Sequence, residues 1–204
     1  MNQNWWRSLF SSARLTEELA VLIAVLGTLF AVNSVADANA TETRISKDVQ
    51  ATNTYAFYQA KNNRQVAYKL GLDEIRRDLE VNPDLGTRQR SFVDDQIEEY
   101  EAAIARYDSE PDPNDPENPL KGEGKVQLLA RARDLERQRD EARHRSASFD
   151  YGSTFATVGV VLASTAVLLS SRRFALAATS VAVVSLLFTL NGWLQIVDVT
   201  YVAG

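Results

Sequence analysis

The sequence predicts an all-α integral membrane protein with three transmembrane helices and an extramembrane antiparallel helical stalk. Three observations carry this reading. Residues 19–36, 151–171 and 174–197 contain no Asp, Glu, Lys or Arg. Residues 37–150 hold 18 of the 22 Lys+Arg and 24 of the 27 Asp+Glu. Four of the five prolines fall within residues 109–124, which leaves the rest of the insert free to be helical. A charge at the bilayer centre costs about 2.5–3.5 kcal/mol on insertion scales, so the charge-free runs fit lipid and the insert fits water. The mean hydropathy of -0.23 averages the two regions and hides both.

Residues 1–18 read as an interfacial segment. Trp5 and Trp6 beside Arg7 place indole rings at headgroup level, where amphipathic aromatics are favoured. The first span, residues 19–36, is roughly 27 Å long as a helix, close to the hydrocarbon thickness of about 30 Å. Ala36-Asp37-Ala38-Asn39-Ala40 offers a small-x-small cleavage pattern, but the apolar run exceeds a signal-peptide core, so a retained span is expected.

Residues 37–150 form the stalk. No Gly or Pro interrupts the chain between the first span and Gly71, so the first helix is expected to run on into water. Ile45, Val49, Thr52, Ala56, Ala60, Asn63, Ala67 and Leu70 recur at helical spacing and predict its packed face. Pro83 and Gly86 mark a break. In the next helix Val93, Ile97, Tyr100, Ile104 and Tyr107 are spaced 4, 3, 4 and 3, the pattern of a coiled-coil seam over two heptads. Residues 109–124 form a Pro-rich loop. A third helix from about Lys125 carries Leu129, Ala132, Leu135 and Ala142 on one face and runs into the second span.

The second and third spans, residues 151–171 and 174–197, are joined at Ser170-Ser171-Arg172-Arg173. Two arginines in a tight connection predict a cytoplasmic turn. The N-terminus, with Arg7 and Arg14, is then inside, and residues 37–150 and the C-terminal tail, 198–204, are outside. Arg172, Arg173 and Trp193 are, with Trp5 and Trp6, the expected membrane anchors. Six arginines between residues 131 and 145 oppose this orientation, but long loops translocate largely regardless of charge.

Composition narrows the chemistry. With no cysteine and a single histidine, His144, there is no thiolate metal site, no disulfide and no basis for a histidine-centred catalytic group. No cofactor, metal site or catalytic residue is expected, and the protein is not read as an enzyme. The insert carries six more acids than bases, which argues against nucleic acid. The acidic loop from Glu110 to Asn118 has oxygen ligands but not calcium-loop spacing, and a solvated turn is the simpler reading. Small residues line each span: Ala20, Ala24, Gly27 and Ala31; then Gly152, Ala156, Gly159 and Ala163; then Ala175, Ala178, Ala182 and Ser185. Such faces allow close helix approach, within one subunit or between subunits.

Tyr55, Phe57 and Tyr58 cannot share one helical face, since the helix turns about 100° per residue. At least one therefore addresses a second partner. Together with Val93, Ile97, Tyr100 and Ile104 they are the candidate interaction residues.

The segment Tyr55-Ala56-Phe57-Tyr58-Gln59-Ala60-Lys61, the basic turn Arg172-Arg173 and Asn191-Gly192-Trp193 resemble a bacterial family of small three-span membrane proteins of unknown function. The resemblance implies an N-terminal span, a charged helical region and two closing spans, and no activity. The reading is a structural or accessory interaction component of the bacterial cytoplasmic (inner) membrane. Its expected partners are membrane lipids and either further copies of itself or other membrane-protein subunits. The alternative is a homo-oligomeric pore lined by Thr28, Asn33, Ser164, Thr165, Thr189 and Asn191.

Overall fold

A computed structural model describes residues 4–199, with side chains from residue 14 onward. The described residues form four helices and no strand: α1 (Asn4–Val81), α2 (Thr87–Asp108), α3 (Lys125–Leu169) and α4 (Arg172–Leu194). Three of them, α1, α3 and α4, are long and apolar enough to cross a membrane. The chain divides into two compact units, Met1–Ile45 with Asp140–Gly204, and Ser46–Arg139, and α1 and α3 contribute to both.

In the first unit, α1, α3 and α4 pack through small residues. One cluster gathers Leu19, Ala163, Ala166 and Ala178, and a second gathers Leu26, Ala156 and Ala182. Alanine at these points lets the helix backbones come close, which is how helices gain van der Waals contact where lipid gives no hydrophobic drive. The stripes at 152–163 and 175–185 are therefore spent inside one chain. The stripe of the first span is not: Ala20, Ala24, Gly27 and Ala31 are all exposed.

The turn between α3 and α4 is tighter than the expected four-residue loop. Ser170 takes a left-handed φ of 45°, and Ser171 N–H donates to the Ala166 carbonyl, closing the end of α3. Arg172 and Arg173 are thus the first residues of α4 rather than loop. The third span is expected over 174–197, and its helix has a stop of its own. The helix stops at Leu194, because Gln195 adopts φ 51° and caps it with its N–H on the Asn191 carbonyl.

In the second unit, α2 and the start of α3 each run antiparallel to α1, and so in the same direction as one another. Arg76 meets Glu101 on α2 while Gln65 meets Ile104, and Tyr55 meets Glu136 on α3 while Asn62 meets Lys125. The packed face of α1 is not the stripe from Ile45 to Leu70, all of which is exposed. The side turned inward carries Ala51, Thr54, Gln65 and Leu72, with Tyr58 and Tyr68 half-buried between them. The polar members are satisfied: Thr54 donates to the Gln50 carbonyl and Gln65 Nε2 to the Ile104 carbonyl at 2.9 Å. Hydrogen bonding lets a polar heptad face be the buried one and leaves the more apolar face outside. On α3 the buried face is Leu128, Ala132 and Leu135, with Leu129 half-buried.

Candidate interaction surfaces

The interior of the first unit holds a short polar chain. Asn33 on α1 is fully buried, and its Nδ2 donates to Thr189 Oγ1 on α4 at 2.9 Å. Thr189 donates to the Ser185 carbonyl at 2.8 Å, and Ser185 Oγ donates to the Gly152 carbonyl on α3 at 2.7 Å. One network thus ties all three helices together. Gly152 is required by close approach: a Cβ there would lie 2.7 Å from Asn33 Nδ2 and 3.0 Å from its Oδ1. Asn33 Oδ1 has no hydrogen-bond donor among the described residues.

Past α4 the tail folds back. Asn191 behaves like a strand edge toward Val197: its Nδ2 donates to the Val197 carbonyl and its Oδ1 accepts the Val197 N–H, both at 2.8 Å. Asn191 Nδ2 also lies 3.0 Å from Ser148 Oγ on α3, and Gln195 Nε2 donates to the Glu141 carbonyl. His144 Nδ1 lies 2.8 Å from Asp198 Oδ1. Gly192 leaves room for the Phe149 ring, which would collide with any Cβ, and Trp193 meets that ring edge-on at 5.6 Å. A cavity of about 320 Å³ opens beside this pair, walled by Ala36, Ala40, Arg145 and Gly192 among others.

In the second unit, the aromatic cluster divides. Tyr55 is half-buried and donates its hydroxyl to Glu136 Oε2 at 3.1 Å. Partial burial, and then the hydrogen bond and charge of Glu136, raise the Tyr55 phenol above its ordinary value. Tyr58 is half-buried, and Phe57 is 66% exposed. Val93, Ile97, Tyr100 and Ile104 are all half-buried, and no residue of α2 is fully buried. Beside its polar contacts with Gln65 and Arg76, α2 packs on α1 through aromatic rings: Tyr68 of α1 sits 5.1 Å from Tyr100, edge to face, and 5.8 Å from Tyr107.

The acidic loop is occupied with its own turns. Asp112 Oδ1 accepts the Asn114 N–H, Asn118 Oδ1 accepts the Leu120 N–H, and Asp115 pairs with Lys121 at 2.8 Å. The hydrogen bonds from Lys121 and Asn118 hold the Asp115 carboxyl below the ordinary aspartate value. Among the described residues no group of three or more His, Asp or Glu could hold a metal ion.

Residues 15–195 match the family described as Domain of unknown function (DUF4337). The chain belongs to that family. The DUF4337 region takes in all of the Ser46–Arg139 unit, most of the other unit, and the three membrane-length helices from Leu15 onward. No curated protein and no solved structure matches the chain.

Within the DUF4337 region the expected anchors Arg172, Arg173 and Trp193 are exposed, Trp193 by 66%. Trp5 and Trp6 lie outside it and outside the residues whose side chains are described. Sequence reasoning missed Thr54, Gln65 and Tyr68 as the working face of α1. A signal was present: residues 47, 51, 54, 58, 61, 65, 68 and 72 alternate at steps of four and three, but Lys47, Thr54, Lys61 and Gln65 mask it in an apolar count. Asn33 and Thr189, read as possible pore-lining groups, are instead partners of each other.

Proposed function

We propose that this protein is a structural or accessory interaction component of a bacterial inner-membrane assembly, acting as a homo-oligomer or as a subunit of a larger complex, and not an enzyme. The three membrane-length helices would span the bilayer with the N-terminus inside and residues 37–150 outside. The observation that carries the reading is Phe57. It is 66% exposed in a run, residues 49–60, that has no charged side chain although it belongs to the charge-rich insert. Exposed apolar surface in a water-facing region marks contact sites, and aromatic side chains dominate interface energetics. The pore alternative draws less support, since Asn33 is fully buried and donates to Thr189 inside one chain.

The test is native mass measurement of gently solubilised membranes. The parent should run well above the single-chain mass of 22.7 kDa. Phe57→Ala with Tyr58→Ala should shed copies or partners, and Glu98→Ala, an exposed change on α2, should not. A parent that runs as a lone monomer, or a double variant that keeps the same mass and the same co-purifying proteins, would overturn the reading.

A further inference from the structure

We infer that α1 carries a second, outward coiled-coil seam that pairs in parallel and in register with α1 of another copy of this chain. The inference deepens the reading above and rests on its membrane placement. The inward face of α1 in the Ser46–Arg139 unit is already covered by α2 and α3. Opposite it, Val49, Ala56, Asn63 and Leu70 recur at every seventh residue, and all four are exposed. The intervening positions Thr52, Gln59 and Val66 are exposed too, and complete a seam of alternating three- and four-residue steps.

Three features select a second copy over a foreign partner. First, anchored copies enter one membrane in one orientation, so their α1 helices run parallel, and in-register pairing sets each seam residue against itself. Any charge there would face its like. The seam has none between residues 49 and 70, and it ends where Asp73 and then Arg77 take the next two positions. Second, Asn63 sits at the position where a lone asparagine fixes register and two-stranded pairing in parallel coiled coils. Third, the flanks are complementary. In a parallel pair Lys69 lies beside Glu74 of the other copy, five residues on. Within one helix, residues five apart do not face each other, so this pair is available only between copies. Both side chains are exposed. In the other unit, α1 independently turns Ala20, Ala24, Gly27 and Ala31 outward, and a Cβ on Gly27 would meet nothing within 4 Å. Such a face admits a second helix in lipid.

The chain has no cysteine, so single cysteines report the geometry directly. Ala56→Cys and Asn63→Cys place thiols on the seam. Gln50→Cys and Arg64→Cys, each one residue past a seam position, place them off it, and all four positions are exposed. Oxidation of native membranes with copper phenanthroline should give a band of doubled mass at Ala56→Cys and Asn63→Cys, at least five-fold stronger than at the off-seam pair. In the Ala56→Cys background, Lys69→Glu should weaken that band, and adding Glu74→Lys should restore it. Equal or reversed labelling, cross-links only to other proteins, or failure of the charge swap to restore the band would overturn the seam. Native mass of the same membranes separates the two failures: a large assembly without seam cross-links removes the seam alone, and a lone monomer removes the proposed function as well.

Discussion

At the scale of single residues, the first unit depends on a place where nothing larger than hydrogen fits. Gly152→Ala would drive a methyl group into Asn33, whose Nδ2 would lie 2.7 Å away. Overpacking of this kind costs about 1–3 kcal/mol. The variant should unfold more readily in bicelles, followed by steric trapping or detergent titration. Asn33→Ala removes the obstacle, so the double variant should lose less than the two single losses added together. The ion pair of Asp115 with Lys121 gives a second residue-scale expectation. Asp115 is shifted down, so its contribution to loop order is present above the ordinary value of 3.8 and is lost as pH falls through its own lower value. Lys121 is shifted up, mainly by its hydrogen bond to Asp115, so its share is present below 10.5 and is lost as pH rises through its raised value. A carboxyl NMR titration should find Asp115 with a midpoint below 3.8, and Lys121→Ala should return it toward that value. Neither Gly152 nor Asp115 announces its role in the sequence. Glycine in a small-residue stripe and aspartate in a polar loop are ordinary until the side chain opposite is known.

At the scale of elements, α2 is the loosest helix. None of its residues is fully buried, and its contacts with α1 include the rings of Tyr68, Tyr100 and Tyr107, the Gln65 hydrogen bond and the exposed Arg76–Glu101 ion pair. Helices with few buried apolar contacts open at low free energy. Amide exchange along α2 should therefore be faster than along α3, and Tyr68→Ala should speed it further while leaving the exchange of Leu128 to Leu135 nearly unchanged. Equal protection of α2 and α3 would contradict this account. By contrast, Leu128→Ala opens a cavity on the buried face of α3, where Leu128 is 6% exposed, and should cost about 2–5 kcal/mol. The elements themselves were legible in sequence. Pro83 and Gly86 end α1 where expected, and the prolines from 111 to 119 separate α2 from α3. Which face of α1 packs was not legible. An apolar count favours the side with Val49 and Leu70, while the side with Thr54 and Gln65 is the one whose polar groups find partners.

At the scale of the whole molecule, the expected arrangement in the membrane is N-terminus inside and residues 37–150 outside, argued from Arg7, Arg14, Arg172 and Arg173. Asp115→Cys in the otherwise cysteine-free chain should react with an impermeant thiol reagent on intact spheroplasts. Reaction only after the inner membrane is broken would reverse the topology. Asp115 is half-buried, and its pairing with Lys121 is confined to the loop, so the substitution tests placement without removing a helix contact.

The sequence by itself determined the helical class, the three charge-free runs and the breaks between helices. These follow from properties carried along the chain: the cost of charge in lipid, the missing N–H of proline and the stiffness of uninterrupted helix. Only the tertiary structure decided how the faces are used. It spent the small stripes of α3 and α4 inside the chain and left that of α1 outside. It paired Asn33 with Thr189 across 156 residues and folded the tail back onto Asn191. A hydrogen-bond partner that is remote in sequence has no local signature, so whether a polar residue is buried or solvated is settled only when the helices meet.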